Sequence, residues 1–237
     1  SVGANGSVEI GGSGTLKLGG NLAVTGTINL NDGATTTFVG NKIDVSGGTL
    51  KLAGTHSLDS ITTNDQTKLQ INNSANVSRS DAGTSTLGSL TYSQAGNSGS
   101  LSLSASNMGL TIVSAMQVSG ASLSHSNGIL TFQSAPSLSN SSSLSVSNGE
   151  LVLANGGTVN GSSLQLTASK FKPAGSVSVT NGGTFALNET SSVILQGDTT
   201  LNQAGSVSWP DLDLGGKKLS LGSTVSSFTV QKALNIA

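Results

Sequence analysis

The sequence contains no cysteine, which excludes a disulfide-stapled scaffold and a cysteine-ligated zinc site. Proline occurs three times, and glycine shows no period of three, so a collagen-like chain is excluded. Charge is scarce: Asp, Glu, Lys and Arg together make up 9% of the residues, against about 25% in an ordinary globular protein. Arg79 is the only arginine, Lys217-Lys218 is the longest basic run, and the formal net charge is −1. Recognition of nucleic acid needs clustered cations to neutralise phosphates, so no nucleic acid is expected as a partner. No apolar run approaches the roughly 18 residues that span a bilayer as a helix, and this segment is not expected to be membrane-spanning. Charge-driven disorder is not expected either, because apolar residues reach 35% while charge stays low.

What the chain has in quantity is Ser, Thr, Asn and 32 glycines, interleaved with short apolar–polar–apolar triplets. The triplets recur at a fixed spacing. Asn127-Gly128-Ile129-Leu130-Thr131-Phe132 and Asn148-Gly149-Glu150-Leu151-Val152-Leu153 are offset by 21 residues. The same column extends through Val8/Ile10, Ile28/Leu30, Leu50/Leu52, Leu69/Ile71, Leu90/Tyr92 and Leu110/Ile112, in steps of 19 to 22. It loosens around Phe171-Lys172-Pro173 and resumes at Val193/Leu195 and Leu212/Leu214. Two further columns run beside it. One passes through Leu101/Leu103, Leu123, Leu144/Val146, Leu164/Leu166, Phe185/Leu187, Val207/Trp209 and Phe228/Val230. The other passes through Val118, Leu138, Val159, Val177/Val179, Leu201 and Leu219/Leu221.

Alternation with period 2 puts the outer members of each triplet on one face. Strands this short do not stand as isolated hairpins, but stacked coil on coil they bury continuous apolar columns. The spacing therefore predicts an all-β fold, a right-handed parallel β-helix with about 20 residues per coil and three short strands per coil. Residues 1–237 are expected to form one solenoid domain, a fragment of a longer chain, with a looped-out excursion at 55–86. About 11 coils would make a rod about 50 Å long. Gly and Asn end the triplets, as turn residues that tolerate positive φ. Asn107, Asn127 and Asn148 fall one coil apart and predict a ladder of side-chain amides. A β-sandwich is the competing fold, disfavoured by the regular offset.

Gly12-Ser13-Gly14-Thr15-Leu16-Lys17-Leu18-Gly19-Gly20, Thr25-Gly26-Thr27-Ile28-Asn29-Leu30 and Gly47-Gly48-Thr49-Leu50-Lys51-Leu52-Ala53-Gly54 resemble the passenger repeats of bacterial autotransporters. The Asn-Gly-x-Leu-x-Phe/Leu units at 127–132 and 148–153 look like the coils of filamentous-haemagglutinin-type adhesins. The similarity covers most of the chain and is compositional. It implies a rod on the bacterial cell surface, or secreted, built for adhesion or display. It carries over no individual functional residue.

For chemistry the acids are sparse. Asp211 and Asp213 are the one close pair, on the same side of a strand, and they follow Trp209-Pro210. A tryptophan beside two carboxylates could bind a sugar; the plainer expectation is that Trp209 belongs to an apolar column and the aspartates to a polar face. Asp59, Asp65 and Asp81, with His56 and Arg79, mark the less regular stretch 55–86, where a loop would be a place for binding. His56 and His125 are about three coils apart and make no metal pair, and no calcium-roll repeat occurs. No metal and no cofactor are expected. Thr25/Thr27, Thr35/Thr37 and Thr84/Thr86 do not align at one coil spacing, so no threonine ladder for ice is expected.

The expectation is a surface or secreted adhesin with no catalytic centre. Its partner would be a host-cell or matrix receptor, or another copy of itself. The alternative is a β-helix that binds or degrades polysaccharide, with Trp209, Asp211 and Asp213 as its candidate residues.

Overall fold

In a computed structural model of the chain, residues 122–236 are described without a break. Before them it describes 1–3, 5–10, 25–30, 109–113 and 116–120, and the strands at 15–17, 22–23, 35–37, 43–44, 49–57, 61–62, 68–79, 84–87, 89–92 and 98–103. Among the described residues there is no helix, and the strands stack in parallel as a β-solenoid of about 6 turns, about 21 residues apart. Each coil contributes a strand to each of three faces. Ser122–Ser126, Ile129–Phe132 and Ser137–Ser139 make one coil; Ser143–Ser147, Glu150–Leu153 and Gly157–Asn160 the next; Ser163–Thr167, Lys170–Pro173 and Gly175–Thr180 the one after.

Alternation decides which side chains go inside. On the first face Leu123, Leu144, Leu164 and Phe185 stand in register. On the second, Leu110, Leu130, Leu151, Phe171 and Val193 do so. On the third, Val118, Leu138, Val159 and Val179 follow one another. All of these are buried, and together they form one apolar core. Burying aliphatic side chains in this way contributes roughly 1.5–3 kcal/mol each.

Three expectations are corrected. First, the long column changes face. Leu90 is followed in register by Met116 and Tyr92 by Val118, whereas Leu110 and Ile112 stand above Ser85 and Leu87. The coil step here is 24 to 26 residues, seen at Val77–Leu101, Leu101–His125 and Leu90–Met116. A step of 20 from Leu90 lands on the wrong face, which the shared alternation hides. Second, Phe171 is fully in register, between Leu151 and Val193. Pro173 stands opposite Leu153 at the strand end. It has no N–H to give, yet its carbonyl accepts from Gln196 N, and Ala174 N donates to Leu153 O.

Third, the asparagines at 127 and 148 act through their backbones. Their φ values are 59° and 54°, and Asn127 N and Asn148 N donate to Ser147 O and Thr167 O of the next coil. Asn148 is exposed and Asn127 half-buried, so neither builds an internal ladder, while at the next residue two backbones come close: a Cβ at Gly149 would lie 2.6 Å from Gly128 O. In the next two coils, buried serines fill the interior. Ser169 Oγ donates to Val146 O and Thr167 O, Ser191 Oγ donates to Leu166 O, and Ser169 N donates to Ser191 Oγ. Asn107 lies outside the described residues. Asparagine side chains tie coils elsewhere, as where Asn181 Nδ2 donates to Asn160 Oδ1 at 2.6 Å.

Within 55–86, residues 55–57, 61–62, 68–79 and 84–86 are in strands. Thr49–Ser57 runs beside Lys68–Arg79, with a register shift between Ala53 and Thr55. His56 and Arg79 belong to these strands; Asp59, Asp65 and Asp81 lie outside the described residues.

Candidate functional site

Trp209 and the two aspartates share the strand Gly205–Asp213 but not a site. Trp209 is 2% exposed, because its place in the alternation points inward. Its indole sits edge-to-face against Phe185 and Phe228, at centroid distances of 6.3 and 5.1 Å, and Phe171 continues the stack at 4.9 Å from Phe185. A ring so enclosed has no face to offer a sugar. The buried Leu212 between Asp211 and Asp213 turns both carboxylates outward. There Asp211 Oδ1 accepts from Ala233 N at 3.1 Å, and Asp213 Oδ1 accepts from Gly215 N at 2.9 Å. Both carboxylates hold backbone, one beside a register shift and one in a turn.

Polar side chains interrupt the inward columns at His125 and Gln203. His125 takes the position that Leu101 and Val146 hold in the coils on either side. It is 1% exposed, and neither ring nitrogen has a hydrogen-bond partner. Burial lowers its pKa to about 4; the Asn127 backbone, near the ring but outside hydrogen-bond geometry, opposes this weakly. Gln203 follows Val179 in the third face, and its Oε1 is buried without a donor. His56 shares the register of His125 three coils away, through Val77 and Leu101. The two histidines thus occupy one column without meeting.

The outer surface carries three features. On the first face, alternation turns every second residue outward and makes a grid. Ser122, Ser143, Ser163 and Thr184 form one row across the coils; Ser124, Ser145 and Gln165 form a second; Ser126, Ser147 and Thr167 form a third. The second face carries a cluster of ion-paired side chains. Glu150 stands between Lys170 at 3.3 Å and Lys172 at 2.5 Å. Burial by itself would raise the Glu150 carboxyl, but the hydrogen bonds and charges of Lys172 and Lys170 outweigh it and hold the group below its usual value.

The third feature is a groove along the corner from the third face to the first. Its deeper part encloses about 440 Å³ and takes its walls from residues 179–183, 202–204 and 223–224 of successive coils. Its shallower part, about 260 Å³, lies among serines of residues 141–143 and 161–163 and meets the deeper part at Gly182. Sequence reasoning missed both the grid and the groove. The grid was legible as Ser-Leu-Ser-His-Ser and Ser-Leu-Ser-Val-Ser, one coil apart. The groove depends on how corners of different lengths stack.

Among the described residues no group of three or more His, Asp or Glu could hold a metal ion, and no helix is long and apolar enough to cross a membrane. The fold defines the chain as a parallel β-solenoid. It matches no protein-family model, no curated protein and no solved structure.

Proposed function

We propose that the chain is an adhesive rod, displayed on a bacterial surface or secreted, of the kind built by autotransporter passengers and filamentous-haemagglutinin-type adhesins. The observation that supports this reading is the serine grid of the first face. Rows of hydroxyls repeat coil after coil at about 4.8 Å, with no charge among them. Each hydroxyl both donates and accepts, so contact with a polar partner is shallow and weak per coil and gains strength by repetition. With little net charge the rod exerts little long-range steering, and capture depends on close approach. The partner is a receptor on a host cell or matrix, or a second copy of the rod. No catalytic step is assigned to the chain.

Beads coated with the chain are expected to stick to cells or to each other more than albumin-coated beads do. The pair Ser124→Lys and Ser145→Lys, at outward positions of adjacent coils, is expected to reduce that sticking with little change in melting temperature. Native-chain beads indistinguishable from albumin controls on every surface would overturn the reading.

A further inference from the structure

We propose that the deep corner groove at 179–183, 202–204 and 223–224 is a binding site for a neutral oligosaccharide lying along the rod axis. The proposal supplies a ligand class for the adhesive reading and rests on it.

The lining chemistry selects the ligand. The residues that line the groove include the polar Thr180, Asn181, Asn202, Gln203, Ser223 and Thr224 beside Val179 and Ala204, and no charged residue lines it. Phosphate, sulfate and carboxylate ligands draw on cations for their affinity, and none is available here. Amides and hydroxyls together offer donors and acceptors in similar number, which matches the hydroxyls of an uncharged sugar. The groove is open at the exposed Gly182, where an added Cβ would meet nothing within 4 Å.

The walls are held in place before any ligand arrives. Asn202 Nδ2 donates to Ser176 Oγ at 3.1 Å and lies within 3.4 Å of Ser178 Oγ. Gly222 makes room for it, since a Cβ there would fall 2.1 Å from Asn202 Oδ1. Asn181 is fixed by Asn160. A site ordered in advance loses less entropy on binding.

Gln203 supplies an independent argument. Its register position is apolar in the coils before it, at Val118, Leu138, Val159 and Val179. Glutamine there leaves Oε1 buried without a donor, an arrangement that costs stability. The terminal amide turns easily about its last torsion. A ligand hydroxyl in the groove lets it pair both ends, so the cost carried by the free protein is relieved on binding. The repeat also fits: successive coils advance by about 4.8 Å, comparable to the advance of one pyranose in an extended chain, so each coil meets one sugar.

The test is calorimetric or NMR titration of the whole chain with uncharged hexasaccharides of glucose and of N-acetylglucosamine, with hexagalacturonate as the charged control. A neutral hexasaccharide is expected to bind more tightly than its disaccharide, and hexagalacturonate not to bind. Gln203→Leu is expected to weaken binding about tenfold, the loss of one buried hydrogen bond, while its melting temperature stays level or rises because the apolar column is restored. Ala204→Trp, at the exposed rim, is expected to abolish binding. The proposal is overturned if neither neutral sugar binds up to about 10 mM, if hexagalacturonate binds equally well, or if both variants bind like the native chain. Coated-bead assays separate this from the broader reading. Beads that stick while no sugar binds keep adhesion and remove the groove. Sugar binding without bead adhesion keeps the groove and removes the adhesive role.

Discussion

The aromatic stack and the His125 column place rings under the same rule, and the outcomes differ. Phe171, Phe185, Trp209 and Phe228 meet edge-to-face at 4.9 to 6.3 Å, each ring filling space left by a neighbouring coil. His125 is as deeply enclosed as Trp209, but neither of its nitrogens is paired. An inward column accepts any side chain of suitable volume. It rewards the apolar ones through contact and charges the polar ones for lost hydration. Burial at a given register is therefore set by alternation, while its energetic sign is set by chemistry.

Four measurements would break or sharpen that contrast. The largest effect is expected from Trp209→Ala, which removes the centre of the aromatic stack and should cost about 3–5 kcal/mol, read by denaturant unfolding followed by circular dichroism. A loss below about 1 kcal/mol would show that the stack collapses around the gap.

The second concerns acid. The folded pKa of His125 is lowered to about 4 from an ordinary 6.5, so the unfolded chain takes up the proton first. Its share of stability is complete above pH 6.5, falls between pH 6.5 and about 4, and is level below that. The loss across this window should be about 3 kcal/mol. In His125→Leu this part of the pH dependence should vanish and stability at pH 5 should rise; an unchanged profile would place the acid sensitivity elsewhere. Glu150 acts in a lower window. Its carboxyl is held below 4.5, so its contribution is present above that value and lost as the pH falls through the folded pKa.

The third is Ser191→Ala. It removes the hydroxyl that donates to Leu166 O and accepts from Ser169 N, at an expected cost of about 1–2 kcal/mol. Amide exchange at Ser169 should speed up with it. The smallest is Glu150→Gln on the charged face, which should cost less than about 1 kcal/mol and lose even that at high salt.

Much of the architecture was legible because the signal is redundant. Leu130, Leu151, Leu144 and Leu164 repeat the same alternation coil after coil, and a period near 21 with strands too short for hairpins leaves few folds open. The inward turn of Trp209 could also be read in advance, from the place of Val207/Trp209 between Phe185/Leu187 and Phe228/Val230; that its ring meets Phe185 and Phe228 could not. The step from Leu90 to Met116 could not, because Leu110 offers an equally apolar partner at the more regular spacing. The asparagine ladder failed for a local reason: Asn127 and Asn148 serve as left-handed turn residues whose backbones bond the next coil, and the Asn148 side chain is exposed there. The groove was invisible because its wall residues, Asn181, Asn202 and Thr224, are ordinary turn and strand residues in a chain full of them.

The sequence by itself determined that the chain would coil into parallel stacked strands, since a three-residue strand has only two sides and period-2 alternation assigns them. It also determined that the outside would be neutral and rich in hydroxyls. Only the tertiary structure decided which strand lies on which of the three faces, because all three share one alternation and the backbone ladder alone distinguishes them. It alone also decided that Gln203 would stand in an apolar column beside an open corner, since corner length is free in the sequence and takes its shape only when the next coil lies against it.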